Sequence, residues 1–114
     1  MNTKTLRNHL RTHRQRSGLS QRDLGLLLGS KHQTQVSRYE RSESAPSLVV
    51  ALCYEVVFRV PTSDLFPGIH ARATQLVESK LAELGDDLGQ RSARDRGASE
   101  VAKILTWLRD RKDQ

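Results

Sequence analysis

Cysteine occurs once in these 114 residues, so Cys53 has no partner for an internal disulfide. It stands in an apolar run, where a thiol acts as a small core side chain. The four histidines and this one cysteine never reach a ligand-like spacing, so no metal and no cofactor are implied. No apolar stretch approaches the roughly 20 residues of a membrane span. Met1 to Leu10 lacks the apolar region of a signal peptide, and a cytoplasmic protein is expected. Nucleophile elbow, phosphate loop and clustered carboxylates are all missing, which speaks against an enzyme. His9 and His13 share a helical face, but no glutamate accompanies them as a metalloprotease would need.

What is abundant is positive charge. The net charge is +6 and the pI about 10.1, so an acidic partner is expected. Residues 1–66 hold ten Lys and Arg against five Asp and Glu, a net of +5; residues 67–114 hold nine against eight, a net of +1. The basic excess therefore belongs to the first part of the chain, as an electrostatic footprint on phosphate requires.

That part is organised around Ser20 to Arg41. Ser20 and Asp23 form a capping-box pattern at the start of a helix. Leu24, Leu27 and Leu28 fall on one face, Gly25 leaves room for a close neighbour, and Gly29 suits a left-handed C-terminal cap. A second helix then turns Val36 and Tyr39 inward and Gln33, Thr34, Gln35, Ser37 and Arg38 mostly outward. Gln can bond adenine through two atoms, Arg can do so to guanine, and Thr offers a hydroxyl and a methyl. The competing reading is a helical hairpin with a solvated polar face. The capping box, the paired glycines and the apolar spacing together weigh against it.

Leu6 to Phe66 resembles the phage-repressor-like (Cro/C1, XRE-type) helix-turn-helix family. The residues that carry the resemblance are Leu19-Ser20-Gln21, Asp23-Leu24-Gly25, Leu28-Gly29, Val36-Ser37-Arg38-Tyr39-Glu40-Arg41, Pro46-Ser47-Leu48 and Asp64-Leu65-Phe66. Two departures stand in the turn: one residue more than usual separates Gly29 from Val36, and Ser30 replaces an apolar residue. The resemblance implies that Gln21 touches a phosphate and braces the recognition helix.

The expected fold is all-α: a five-helix lambda-repressor-like helix-turn-helix domain over residues 1–68, then two amphipathic helices over 69–114. The first helix is expected from Thr3 or Thr5 to Arg16, with Leu6 and Leu10 as its stripe. Leu48 to Phe58 is apolar nearly all round and rich in valine, so a strand competes; Ser47 as a cap and the length favour a helix. An all-round apolar helix needs a second covering surface, either the C-terminal helices or another subunit. Asp64-Leu65-Phe66 marks a short fifth helix stopped by Pro67-Gly68. Ile69 to Leu84 reads as a helix, Gly85 to Gly89 as a turn or joint, and Ser99 as the cap of a last helix whose end frays beyond Leu108. Two helices of this size bury little alone and must pack on the first domain or on another copy.

The leading expectation is a sequence-specific regulator that binds double-stranded DNA as a homodimer. Gln33, Thr34 and Arg38 are its base readers, with Gln35 and Ser37 as further candidates. Gln21, Arg22, Lys31, His32, Arg14 and Arg41 are its phosphate contacts, and Glu40 is expected to pair with a nearby arginine. The alternative is an antitoxin-type module whose C-terminal helices, residues 69–114, hold a partner protein while the helix-turn-helix autoregulates.

Overall fold

A computed structural model describes residues 6–29, 33–91 and 97–113, and every regular element among them is helical. The helices are α1 (Leu10–Ser17), α2 (Gln21–Leu27), α3 (Gln33–Glu40), α4 (Leu48–Phe58), α5 (Thr62–Leu65), α6 (Pro67–Arg91) and α7 (Ala98–Lys112). The chain divides into two compact units, residues 1–73 and 74–114, and the division falls within α6.

In the first unit Leu10, Leu24, Leu28, Val36, Tyr54, Leu65 and Phe66 make one buried cluster. Tyr54 is its centre. The Tyr54 ring meets those of Tyr39 and Phe66 edge-on at 6.5 and 6.0 Å between centroids and stacks on Phe58 at 6.2 Å. Aromatic pairs at such separations contribute beyond the area they bury.

The first helix begins later than Thr3 or Thr5, positions that lie outside the described residues. Residues ahead of α1 do other work. Asn8 Nδ2 donates to the Tyr39 carbonyl at 2.8 Å and the Leu6 carbonyl at 3.0 Å, and Asn8 Oδ1 accepts from Leu10 N–H at 3.1 Å. His9 N–H donates to the Leu65 carbonyl, and the Arg7 carbonyl accepts from Gly68 N–H. A chain committed to these long-range bonds is not free to wind into helix.

The capping box on α2 forms as expected, with Asp23 N–H donating to Ser20 Oγ and Ser20 N–H to Asp23 Oδ2, both at 3.0 Å. Gly29 follows with φ +77°, the left-handed conformation that costs glycine nothing. Leu24 and Leu28 are buried, but Leu27 is exposed. The buried arc also takes in Gly25, on the side of Leu24 opposite to Leu27, and this rotation leaves Leu27 outside.

Residues 48–58 are helix, not strand. Ser47 Oγ accepts from Val50 N–H, and Arg59 closes α4 in the left-handed region at φ +56°. Thr62 N–H at the head of α5 donates to Glu55 Oε1 at 2.9 Å.

The short fifth helix ends at Leu65, ahead of Pro67 as expected, and Pro67 also opens α6: a first-turn residue has no helical partner for its N–H, so proline loses nothing there. Two expectations for the rest of the chain are corrected. The expected joint at Gly85 to Gly89 is continuous helix, held by the burial of Leu88. A Cβ on Gly85 would stand only 3.9 Å from Leu108 Cδ1, so this glycine lies against α7. The last helix starts at Ala98 with Gly97 as its N-cap rather than at Ser99, and it runs on to Lys112. Arg111 holds that end by donating to Glu78 Oε1 at 3.1 Å and lying 5.9 Å over the Trp107 ring.

Candidate nucleic-acid interface

α3 is amphipathic in a way that separates structure from recognition. Its inner side carries Val36, fully buried, and Tyr39, half-buried against the core. Its outer side carries Gln33, Thr34, Gln35 and Arg38, all exposed, with Ser37 half-buried at the margin. The first turn is thus three consecutive polar side chains directed away from the core.

The back of α3 is fixed by a buried polar knot. Arg14 Nε donates to Glu40 Oε2 at 2.6 Å and Arg14 Nη2 to Glu40 Oε1 at 3.2 Å, while Arg14 Nη1 donates to the Leu19 carbonyl at 3.1 Å. The Arg14 side chain is 13% exposed and that of Glu40 only 3%. The hydrogen bonds it donates to Glu40 raise the Arg14 pKa above its ordinary value. Gln21 Nε2 donates to the same Glu40 Oε1 at 3.2 Å. One carboxylate therefore ties together α1, the head of α2 and the end of α3.

This geometry assigns Glu40 to an arginine, as expected, and names that arginine as Arg14. Arg14, expected at a phosphate, has its guanidinium used within the chain and nearly enclosed. Gln21 is half-buried and braces the end of α3 through Glu40. Arg22 is exposed at the start of α2. Arg41 is exposed and pairs with Glu43 at 3.4 Å; Arg38 Nε lies 4.0 Å from the same carboxylate, with half of its side chain in solvent. Lys31 and His32 lie outside the described residues.

Sequence reasoning missed two residues that hold the C-terminal end of α3. Asn8 binds the Tyr39 carbonyl, and Ser42, at φ +62°, donates its Oγ to the Leu6 carbonyl at 2.9 Å. The one local sign was an asparagine just ahead of a helix, a residue type that bonds readily to nearby backbone. Among the described residues no group of His, Cys, Asp and Glu is placed to hold a metal ion, and no helix is long and apolar enough to cross a membrane.

Two short helices, the second presenting a polar first turn and gripped from behind, define a helix-turn-helix. Residues 10–65 match the family described as helix-turn-helix, whose Cro/C1 (XRE) type comprises DNA-binding transcription regulators. No curated protein and no solved structure matches the chain.

Proposed function

We propose that the chain is a sequence-specific, double-stranded-DNA-binding regulator of transcription in the cytoplasm. It acts as a homodimer on an inverted repeat, with α3 in the major groove and no cofactor. The observation that carries this reading is the first turn of α3. Gln33, Thr34 and Gln35 project from a helix whose other side is locked by Val36, Tyr39 and Glu40. Base readout needs side chains held in register, and the polar knot supplies that rigidity.

Gln33, Thr34 and Arg38 read base edges, with Gln35 and Ser37 beside them. Gln21, Arg22, Lys31, His32 and Arg41 contact phosphates. The α2 N-terminus adds backbone N–H groups aimed at the same anion. Glu43 tunes Arg38 and Arg41, because it must release them, or share them, when they meet DNA.

The test is selection from a random pool of duplex DNA at near-physiological salt. An enriched inverted repeat with half-sites about 34–36 Å apart is expected. Binding that only fades with salt, with no enrichment, would reduce the basic face to an electrostatic anchor. In Arg38→Ala, preference at one base pair is expected to relax by about 1–3 kcal/mol. An unchanged preference would take Arg38 out of the readout.

A second reading is favoured by one observation: Leu76, Val77, Leu105 and Trp107 are exposed in the second unit. Large apolar side chains in solvent suit a protein partner, as in an antitoxin-type regulator whose residues 69–114 hold another protein. A partner co-purifying with the full chain and lost on changing those four residues would establish it.

A further inference from the structure

The end of α3 carries a carboxylate on a face proposed to meet an anion. Two backbone bonds close the helix there: Ser42 N–H donates to the Tyr39 carbonyl at 3.1 Å and Glu43 N–H to the Arg38 carbonyl at 2.9 Å. Ser42 takes the left-handed φ of +62° that this kind of helix end needs. Its Oγ donates to the Leu6 carbonyl at 2.9 Å, which ties the turn to the segment ahead of α1. The place of Glu43 is thus set by the backbone and not by its ion pairs.

From that place Glu43 Oε2 lies 3.4 Å from Arg41 Nη2 and 4.0 Å from Arg38 Nε. The two arginines are three residues apart and so are neighbours on the helix surface. Their side chains are largely in solvent, and that of Glu43 is 46% exposed. The other acidic side chains of residues 1–66 are Asp23, Glu40, Glu55 and Asp64. Asp23 caps α2, Glu40 is enclosed with Arg14, Glu55 accepts from Thr62 N–H, and Asp64 stands in the first turn of α5. Among the described residues of the first unit, Glu43 is the acid that pairs with exposed arginines.

A carboxylate beside a DNA phosphate weakens binding, so a face built for affinity alone gains nothing from it. Specificity is a difference between two affinities, and a penalty on the wrong complex serves it as well as a gain on the right one. We propose that Glu43 is a selectivity residue: it withholds Arg38 and Arg41 from the phosphates of an arbitrary duplex and yields Arg38 to a matching base pair. Two bonds from a guanidinium to guanine outweigh one half-solvated contact at 4.0 Å, so the matching base draws Arg38 away. A phosphate offers less, because exchanging one exposed anion for another is close to neutral. In a non-specific complex the two cations therefore stay partly neutralised, and fewer counterions are released. The inference rests on the reading above for the place of α3 in the groove, and it adds what Glu43 does there.

The test is a salt titration of binding to a duplex of random sequence, with the full wild-type chain and with Glu43→Gln. The variant keeps the N–H that bonds the Arg38 carbonyl, so its melting should match that of the wild type. Its log affinity should fall more steeply with log salt, by one phosphate contact, a change in slope of about 0.9. Its affinity for the random duplex should rise about two- to fivefold more than its affinity for the selected site, the range open to an exposed ion pair. Glu83→Gln removes the same charge from an exposed pair with Lys80 in the second unit and should leave the slope unchanged.

A Glu43→Gln slope equal to that of the wild type overturns the inference. So does an equal steepening in Glu83→Gln, which would reduce the effect to net charge, and so does an equal rise on random and selected duplexes. Failure of the base readout is seen separately. A wild type that enriches no sequence sinks the readout, and a steeper slope in Glu43→Gln would still support the withholding of the two arginines. An unchanged slope beside an enriched inverted repeat overturns the role of Glu43 and keeps the readout.

Discussion

The two units spend their apolar residues differently. Leu6, Leu10, Leu24, Leu28, Val36, Tyr54, Leu65 and Phe66 are buried in the first, whereas Leu88 and Val101 are the buried apolar residues described in the second. The first unit's aromatic rings meet one another around Tyr54; Trp107, in the second, is half exposed and covered on one face by Arg111. A unit of the first kind is held by contacts between helices that are distant in sequence. A unit of the second kind leans on helix propensity and exposed ion pairs, which contribute little stability by themselves.

The largest expected effect compares one kind of bond in the two settings. Glu40→Ala leaves the Arg14 guanidinium buried without its carboxylate and should cost the first unit about 3–5 kcal/mol. Glu78→Ala breaks the Arg111 pair, whose side chains are 33% and 55% exposed, and should cost no more than about 1 kcal/mol. Denaturant unfolding with residue-resolved hydrogen exchange reads both. Equal costs would mean that the two pairs are equally solvated and would break the comparison.

Helix caps give the next effect. Ser20→Ala removes the acceptor for Asp23 N–H and should cost about 1 kcal/mol. The bonds from Ser20 hold the Asp23 carboxyl below its ordinary pKa. Its stabilising share is therefore fully present above the unfolded value of about 3.9 and is lost as pH falls through the lower folded value. The acid limb of the stability curve should keep most of that dependence in Ser20→Ala, whose backbone N–H still donates to Asp23, and lose it in Asp23→Ala. Gly97 caps α7 with no side-chain bond, and its φ of −62° suits serine. Gly97→Ser should gain a few tenths of a kcal/mol, roughly.

These contrasts also mark what could be read in advance. The α2 capping box, the left-handed Gly29, the inward Val36 and Tyr39, and Ser47 as a cap are local signals, each decided within a few residues. The exposed polar face of α3 was legible for the same reason: its polarity follows from which residues the core takes. The pairing of Arg14 with Glu40 was not legible because its partner lies 26 residues away, and nothing near it separates an enclosed arginine from a solvated one. Asn8 reaches 31 residues to the Tyr39 carbonyl and holds its segment out of helix. Gly85 to Gly89 carry breaker residues, but tertiary position overrode them: Leu88 gains burial from an unbroken α6.

That override has a test of its own. Gly89 is in a helix, and a Cβ there would meet nothing within 4 Å. Gly89→Ala should therefore stabilise the second unit by roughly 0.5–1 kcal/mol, read as slower amide exchange along α6. A loss of protection would mean that a bend at Gly89 is needed.

The smallest expected effect probes the centre of the first unit. The Tyr54 hydroxyl is buried and has no hydrogen-bond partner among the described residues, and burial pushes its pKa well above the ordinary value. In Tyr54→Phe the ring keeps its contacts with Tyr39, Phe58 and Phe66 while an unsatisfied polar atom is removed. Stability near neutral pH should stay within about 0.5 kcal/mol of the wild type or rise slightly. A loss above about 1 kcal/mol would reveal a bound water joining the hydroxyl to its surroundings, and with it a polar core less complete than the Glu40 knot alone. The alkaline limb separates the two cases further. A raised folded pKa gives a contribution that is full below the unfolded value of about 10 and falls as pH rises above it. Tyr54→Phe should therefore resist alkaline unfolding better than the wild type, while changes confined to the second unit leave that limb where it was.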